Sequence, residues 1–161
     1  MGFPIRIVNC LLLIVTAILE IIGLVFLILL LSSHCVLGGE YGISVWLYIY
    51  FLPGITAQSL VLAIFRLCCN TVGLDPIALA FNFASGIVCL ITALVLLVAM
   101  IDHCGNEFAY MFYASGVCGL VAGLLHLLNA CLCNIYMPNS EWRYLKPSKY
   151  SRSRAEQVSF M

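Results

Sequence analysis

Four side chains with hydrogen-bonding or titratable groups stand inside long apolar runs: Glu20, Gln58, Asn82 and His126. An acid and an imidazole in such surroundings could carry an ion or proton path, with Glu20 titrating and His126 as relay, or could tie helices together and fix their register. Counted at about 1.5 Å per residue from the ends expected to share one membrane face, Gln58, Asn82 and His126 lie roughly 8–12 Å deep and Glu20 roughly 20 Å deep. One acid and one histidine at different depths make a poor conduction path. The register role is therefore the expectation, and a small channel or transporter subunit using Glu20 and His126 is the alternative.

A second constellation is the pair of His-Cys dipeptides, His34-Cys35 and His103-Cys104, each in a short polar stretch between apolar runs. The two stretches align as parts of repeated hairpins and are expected on the oxidising side of the membrane. A Cys35–Cys104 disulfide is the economical reading. A zinc site from the same four side chains has suitable ligand types but lacks the usual spacer between ligands, so no metal is expected. Two unpaired thiols are the third possibility.

The remaining cysteines sort by depth. Cys10, Cys68, Cys69, Cys131 and Cys133 fall near the opposite rim, where juxtamembrane thiols are S-acylated, and the adjacent Cys68-Cys69 is the best candidate pair for palmitoylation. Cys89 and Cys118 are mid-run, where a small packing residue is the default.

These residues need helices to position them. Residues 7–31 hold nineteen Leu, Ile, Val or Phe in 25 positions, more than the roughly 20 residues needed to cross about 30 Å of hydrocarbon. An intramembrane acid costs roughly 2.5–3.5 kcal/mol, against roughly 6–11 kcal/mol gained by the apolar residues, so this segment inserts despite Glu20. Asn9, Thr16, Glu20 and Gly23 recur on one helical face, which must meet protein while the other faces meet lipid. The run is too long for a signal-peptide core and ends without a small-x-small cleavage site, so a retained anchor is expected. Arg6 stands where a myristoylation signal wants Ser or Thr.

Further spans are expected at 43–65, 77–101 and 109–136. The second contains Pro53-Gly54, expected to kink it, and opens on Trp46, Tyr48 and Tyr50, read as an interfacial aromatic belt. The third starts from Asp75-Pro76, read as an N-cap followed by proline at the first helical position. It presents Ala78, Asn82, Ser85, Cys89 and Thr92 on one face. The fourth carries Ser115, Gly119 and Gly123 as a small-residue stripe for helix packing. With 64% hydrophobic and 9% charged residues, the 161-residue chain has room for one membrane domain, residues 1–136, and a polar tail, 137–161, that cannot bury enough apolar surface to fold alone. The fold expected is an all-α membrane protein, a four-transmembrane-helix bundle.

Orientation follows from the basic residues. Arg6, Arg66 and the tail residues Arg143, Lys146, Lys149, Arg152 and Arg154 fall on one side, and the two other loops have none, so both termini are expected to be cytoplasmic. Trp142 and Tyr144 would sit among headgroups while the five tail cations contact anionic lipid, and phosphorylation of Ser148, Ser151 and Ser153 would cancel that attraction. The last three residues, Ser159-Phe160-Met161, have the form of a ligand for a PDZ scaffold domain. Neither nucleic acid nor a cofactor is implied.

No paired carboxylates, phosphate loop or Ser-His-Asp set occurs, so no enzyme is expected. Asp102-His103-Cys104 is similar to part of the Asp-His-His-Cys motif of protein acyltransferases, but one His is missing and no cysteine-rich domain accompanies it. Four spans, both termini inside, minimal loops and a short basic tail resemble the small tetraspan proteins grouped with MARVEL-type and insect septate-junction proteins, the Pasiflora and Fire exit group. The resemblance implies a non-enzymatic role in assembling septate-type cell–cell junctions and their paracellular barrier. The role expected of the chain is that of a structural tetraspan that packs laterally with other membrane proteins, a second copy among them, at cell contacts or in membrane-trafficking assemblies. Claudins are excluded by the short first outer loop with its single Cys35, and tetraspanins by the lack of a large second loop.

Overall fold

The computed structural model describes residues 3–32, 42–68, 74–99, 109–138, 140–141 and 145. Four helices occupy nearly all of them: α1 (Phe3–Ser32), α2 (Gly42–Cys68), α3 (Leu74–Ala99) and α4 (Ala109–Tyr136). Each is long and apolar enough to cross a bilayer. In hydrocarbon no water satisfies backbone amides, so a continuous apolar segment closes its own hydrogen bonds as a helix, and α2 continues through Pro53.

The helices form an antiparallel ring. α4 packs along α1 and α3, α1 along α2, and α2 more lightly along α3. One apolar core, including Leu27, Val45, Tyr48, Leu96 and Phe112, fills the end of the bundle remote from the chain termini. A smaller one, Cys10, Leu13, Leu62 and Ala63, fills the end where the termini lie. The outward surface is apolar, with residues such as Ile21, Ile28, Val98 and Leu124 about half exposed, as lipid requires.

Helix ends differ from the sequence expectation. The second span runs three residues further, to Cys68, which places Arg66 inside the last turn of α2 and not in the connection. The third begins at Leu74, so Asp75 and Pro76 sit within its first turn and Asp75 is not the N-cap. The two helix ends are tied together: Arg66 Nη1 of α2 lies 3.2 Å from Asp75 Oδ1 of α3, with both side chains buried. Proline is tolerated there because amides of the first turn lack intrahelical acceptors. Beyond α4, Met137 and Glu141 are buried, and the Glu141 amide donates to the Pro138 carbonyl at 2.9 Å, so the first residues assigned to the tail belong to the bundle end.

Candidate functional site: a buried polar cluster

All four small or polar residues of the α1 face, Asn9, Thr16, Glu20 and Gly23, are buried. So are Ala78, Asn82, Ser85, Cys89 and Thr92 of α3, and Ser115, Gly119, Gly123 and His126 of α4. Facing one another, these stripes bring Glu20, Asn82 and His126 together at zero exposure.

His126 is the hub. Its Nε2 lies 2.9 Å from Glu20 Oε1 and its Nδ1 lies 2.8 Å from Asn82 Oδ1. The depth count set Glu20 and His126 apart; the structure places them in contact. Asn9 and Cys133 stand level, the Asn9 amide nitrogen 3.7 Å from the Cys133 sulfur. From that level Glu20 is about 16 Å and His126 about 10 Å along its helix. The residual offset is closed by the side chains. Helical side chains lean toward their own N-terminus, and in antiparallel α1 and α4 that makes Glu20 and His126 lean toward each other.

The hydrogen-bond roles follow from Asn82. Its Nδ2 donates to the Ala78 carbonyl at 2.7 Å, and its Oδ1 also accepts from Asn129 Nδ2 at 3.4 Å. Oδ1 is therefore an acceptor toward the imidazole, and His126 Nδ1 carries a hydrogen. The ring's other nitrogen, Nε2, meets the acid at Oε1, so one imidazole joins the side chains of α1 and α3. The Cys89 thiol donates to the same carboxyl oxygen at 3.9 Å, and the Phe81 ring meets the imidazole edge to face at 5.8 Å.

A second set of bonds fastens the remote half. Ser115 Oγ donates to the Gly23 carbonyl at 3.0 Å, and Tyr48 OH donates to the Ser115 carbonyl at 3.0 Å. The stripe glycines make this approach possible. A Cβ on Gly119 would collide with the Tyr48 hydroxyl, and one on Gly123 would meet Leu90 at 2.9 Å and the Gly86 carbonyl at 3.1 Å. At the terminal end, Arg66 Nη2 lies 3.3 Å from the Cys133 sulfur, and Glu141 Oε2 accepts from the Asp75 amide at 3.3 Å.

Gln58 does not join the cluster. It is exposed on α2, and its neighbour Ser59 is the buried one. Tyr48, grouped by sequence with the interfacial aromatics, is 1% exposed, whereas Trp46 and Tyr50 are 61% and 80% exposed. The signal that separates them is the run Val45, Tyr48, Leu52, Ile55, Ser59, whose helical spacing marks the inward face. Asn129 and the Arg66–Asp75 pair were not singled out as part of a site; Asn129 is one helical turn from His126. Of the candidate acylation pair, Cys68 is exposed with a free thiol. Cys69, the disulfide candidates Cys35 and Cys104, and the tail residues Arg143, Lys146, Lys149, Arg152 and Arg154 lie outside the described residues. Among the described residues no three His, Cys, Asp or Glu side chains gather as metal ligands.

Helix length and hydropathy define a multi-pass integral membrane protein of four spans. Comparison with protein-family models, with curated proteins and with solved structures finds no match to the chain.

Proposed function

We propose that the chain is a non-enzymatic organising protein of the membrane, a four-span bundle that assembles sideways with other membrane proteins, without a cofactor. The observation that carries this reading is the sealing of its polar interior. Glu20, Asn82 and His126 have no solvent-exposed surface and are bonded to one another across α1, α3 and α4. Such a network holds helices in register, and the surface left to interact is the lateral one. The positive-inside pattern supports cytoplasmic termini, and the resemblance to septate-junction tetraspans supports lateral cell contacts as the site of action, with secretory-route vesicles as the other location.

Reconstitution into liposomes tests the reading. The expected result is no proton or cation flux above that of protein-free vesicles. A flux abolished by Glu20→Gln would overturn it in favour of a channel or transporter subunit.

A further inference from the structure

On α2, the side facing away from the bundle is unlike the other lipid-facing surfaces. Ile43, Leu47, Tyr50, Gly54, Gln58 and Val61 are spaced 4, 3, 4, 4 and 3 apart, so they form one outward stripe about 27 Å long. Gln58 is exposed ten residues before the end of α2, whose 27 residues span about 40 Å, so with the helix centred in a roughly 30 Å hydrocarbon layer the residue stands about 10 Å inside it. A glutamine side chain is too short to reach the headgroups from that depth, and its amide forms no hydrogen bond among the described residues. An amide donor and acceptor left to lipid are unfavourable.

Gly54, one turn before Gln58, is the second anomaly. Five glycines inside the helices, Gly23, Gly86, Gly116, Gly119 and Gly123, have protein where a Cβ would stand, at 3.3 Å or closer. At Gly54 a Cβ would meet nothing within 4 Å. Packing within this chain therefore gives no reason for a residue that weakens a helix by about 0.5–1 kcal/mol relative to Ala. Close approach of a helix from outside does. An apolar hollow lined by Ile43, Trp46, Leu47, Ile49 and Tyr50 opens on the same side.

We propose that this α2 stripe is the interface on which two copies of the chain dimerise, with the Gln58 amides hydrogen-bonded to each other and the backbones closest at Gly54. A second copy is the partner that fits because copies of one protein insert in one orientation. A two-fold axis along the membrane normal then sets each residue against itself at equal depth. Glutamine is complementary to itself, carrying donor and acceptor on one group. The dimer gives the lateral assembly of the proposed function a named partner and rests on that reading for its role.

Full-length chain in liposomes, labelled and counted by single-molecule photobleaching over a series of protein-to-lipid ratios, measures the association. Dimers are expected, weakened about 3- to 30-fold by Gln58→Leu, the range given by one interhelical hydrogen bond of about 0.6–2 kcal/mol. Gly54→Leu is expected to weaken them similarly while leaving the bundle folded, since the site has no internal neighbour. Equal association of wild type and both variants would overturn the interface. A photo-crosslinking side chain at position 58 is expected to capture the same position of a second copy in the native membrane, while one at Leu124, exposed on α4, captures lipid. Capture of a different protein at position 58 would overturn the second copy, and capture of lipid alone would overturn the face. Flux measured on the same vesicles separates the two ideas: dimers with flux retain this interface and sink the organising role, and monomers without flux do the reverse.

Discussion

Glu20 on α1 and His126 on α4 meet through Oε1 and Nε2 at 2.9 Å although 106 positions separate them in the chain. The contact joins the first helix to the last, and Asn82 on the other side of the imidazole extends it to α3. Three of the four helices are thereby set in depth and rotation by one imidazole ring.

The pair should be worth more together than apart. Replacing His126 by Leu leaves a buried acid without its ring, and replacing Glu20 by Leu leaves a buried ring without its acid. Removing one member of a buried pair costs about 3–5 kcal/mol in soluble proteins, and hydrogen bonds within membranes are weaker, averaging about 0.6 kcal/mol. Each single change is therefore expected to lower unfolding stability in bicelles by about 1–3 kcal/mol, and the double change by clearly less than the sum. Glu20→Gln should be the mildest, because its amide can donate to Nε2. Additive losses would show that the two groups are merely neighbours.

Gly119 and Tyr48 offer a test by rescue. The hydroxyl of Tyr48 occupies the space a Cβ on Gly119 would need. Gly119→Ala should destabilise the bundle by about 1–3 kcal/mol through overpacking. Tyr48→Phe alone loses the bond to the Ser115 carbonyl, about 0.5–1.5 kcal/mol. Combined, the two changes should destabilise less than their sum, since loss of the oxygen removes the closest contact and leaves the Tyr48 ring edge and the Ala93 methyl at 3.0 Å to give way. A double variant as unstable as the sum would place the collision elsewhere, for instance at Ala93.

The bundle was legible in the sequence because each span exceeds bilayer length and because small and polar residues recur every three or four positions. The stripes 9–16–20–23 and 78–82–85–89–92 face inward as that spacing requires. The Glu20–His126 contact was not legible from depth. Counting from span ends assumes that all helices begin at one level, and an error of a few residues exceeds the reach of a hydrogen bond. Gln58 misled for a related reason: polarity alone suggests burial in a membrane, whereas Ser59 and Thr56 beside it occupy the inward face. Arg66 was read for its charge and not its partner, because Asp75 lies nine positions away in the next helix.

Thiol burial now narrows the acylation sites. Of the rim cysteines, Cys10 and Cys133 are buried, while Cys68 and Cys131 are exposed. An acyltransferase needs an accessible sulfur, so Cys68→Ser/Cys69→Ser should remove most label in an acyl-exchange assay, and adding Cys131→Ser the remainder. Label persisting on Cys10 or Cys133 would mean that this end of the bundle opens in the membrane.

The same end is held by Arg66, and its loss should be felt in three helices. The guanidinium reaches Asp75 of α3 through Nη1 at 3.2 Å and the Cys133 sulfur of α4 through Nη2 at 3.3 Å. Asp75 is buried against it, and Glu141, also buried, accepts from the Asp75 amide, so Arg66→Leu leaves the Asp75 carboxylate without the guanidinium at a site that holds a second acid. The expected loss of stability is about 3–5 kcal/mol, the cost of stranding a buried charge. Arg66→Lys keeps the charge but not the planar fork, and a single ammonium does not bond both partners in the same way, so an intermediate loss is expected. A double change, Arg66→Leu with Asp75→Asn, should recover part of it by removing one stranded charge. Thiol labelling gives a local readout. With every cysteine but Cys133 replaced by Ser, maleimide should modify Cys133 slowly when Arg66 is kept and at least several-fold faster in Arg66→Leu, as the α4 end loses its contact with α2. An unaltered labelling rate together with an unaltered unfolding midpoint would show that apolar packing at Cys10, Leu13, Leu62 and Ala63 holds this end without the ion pair.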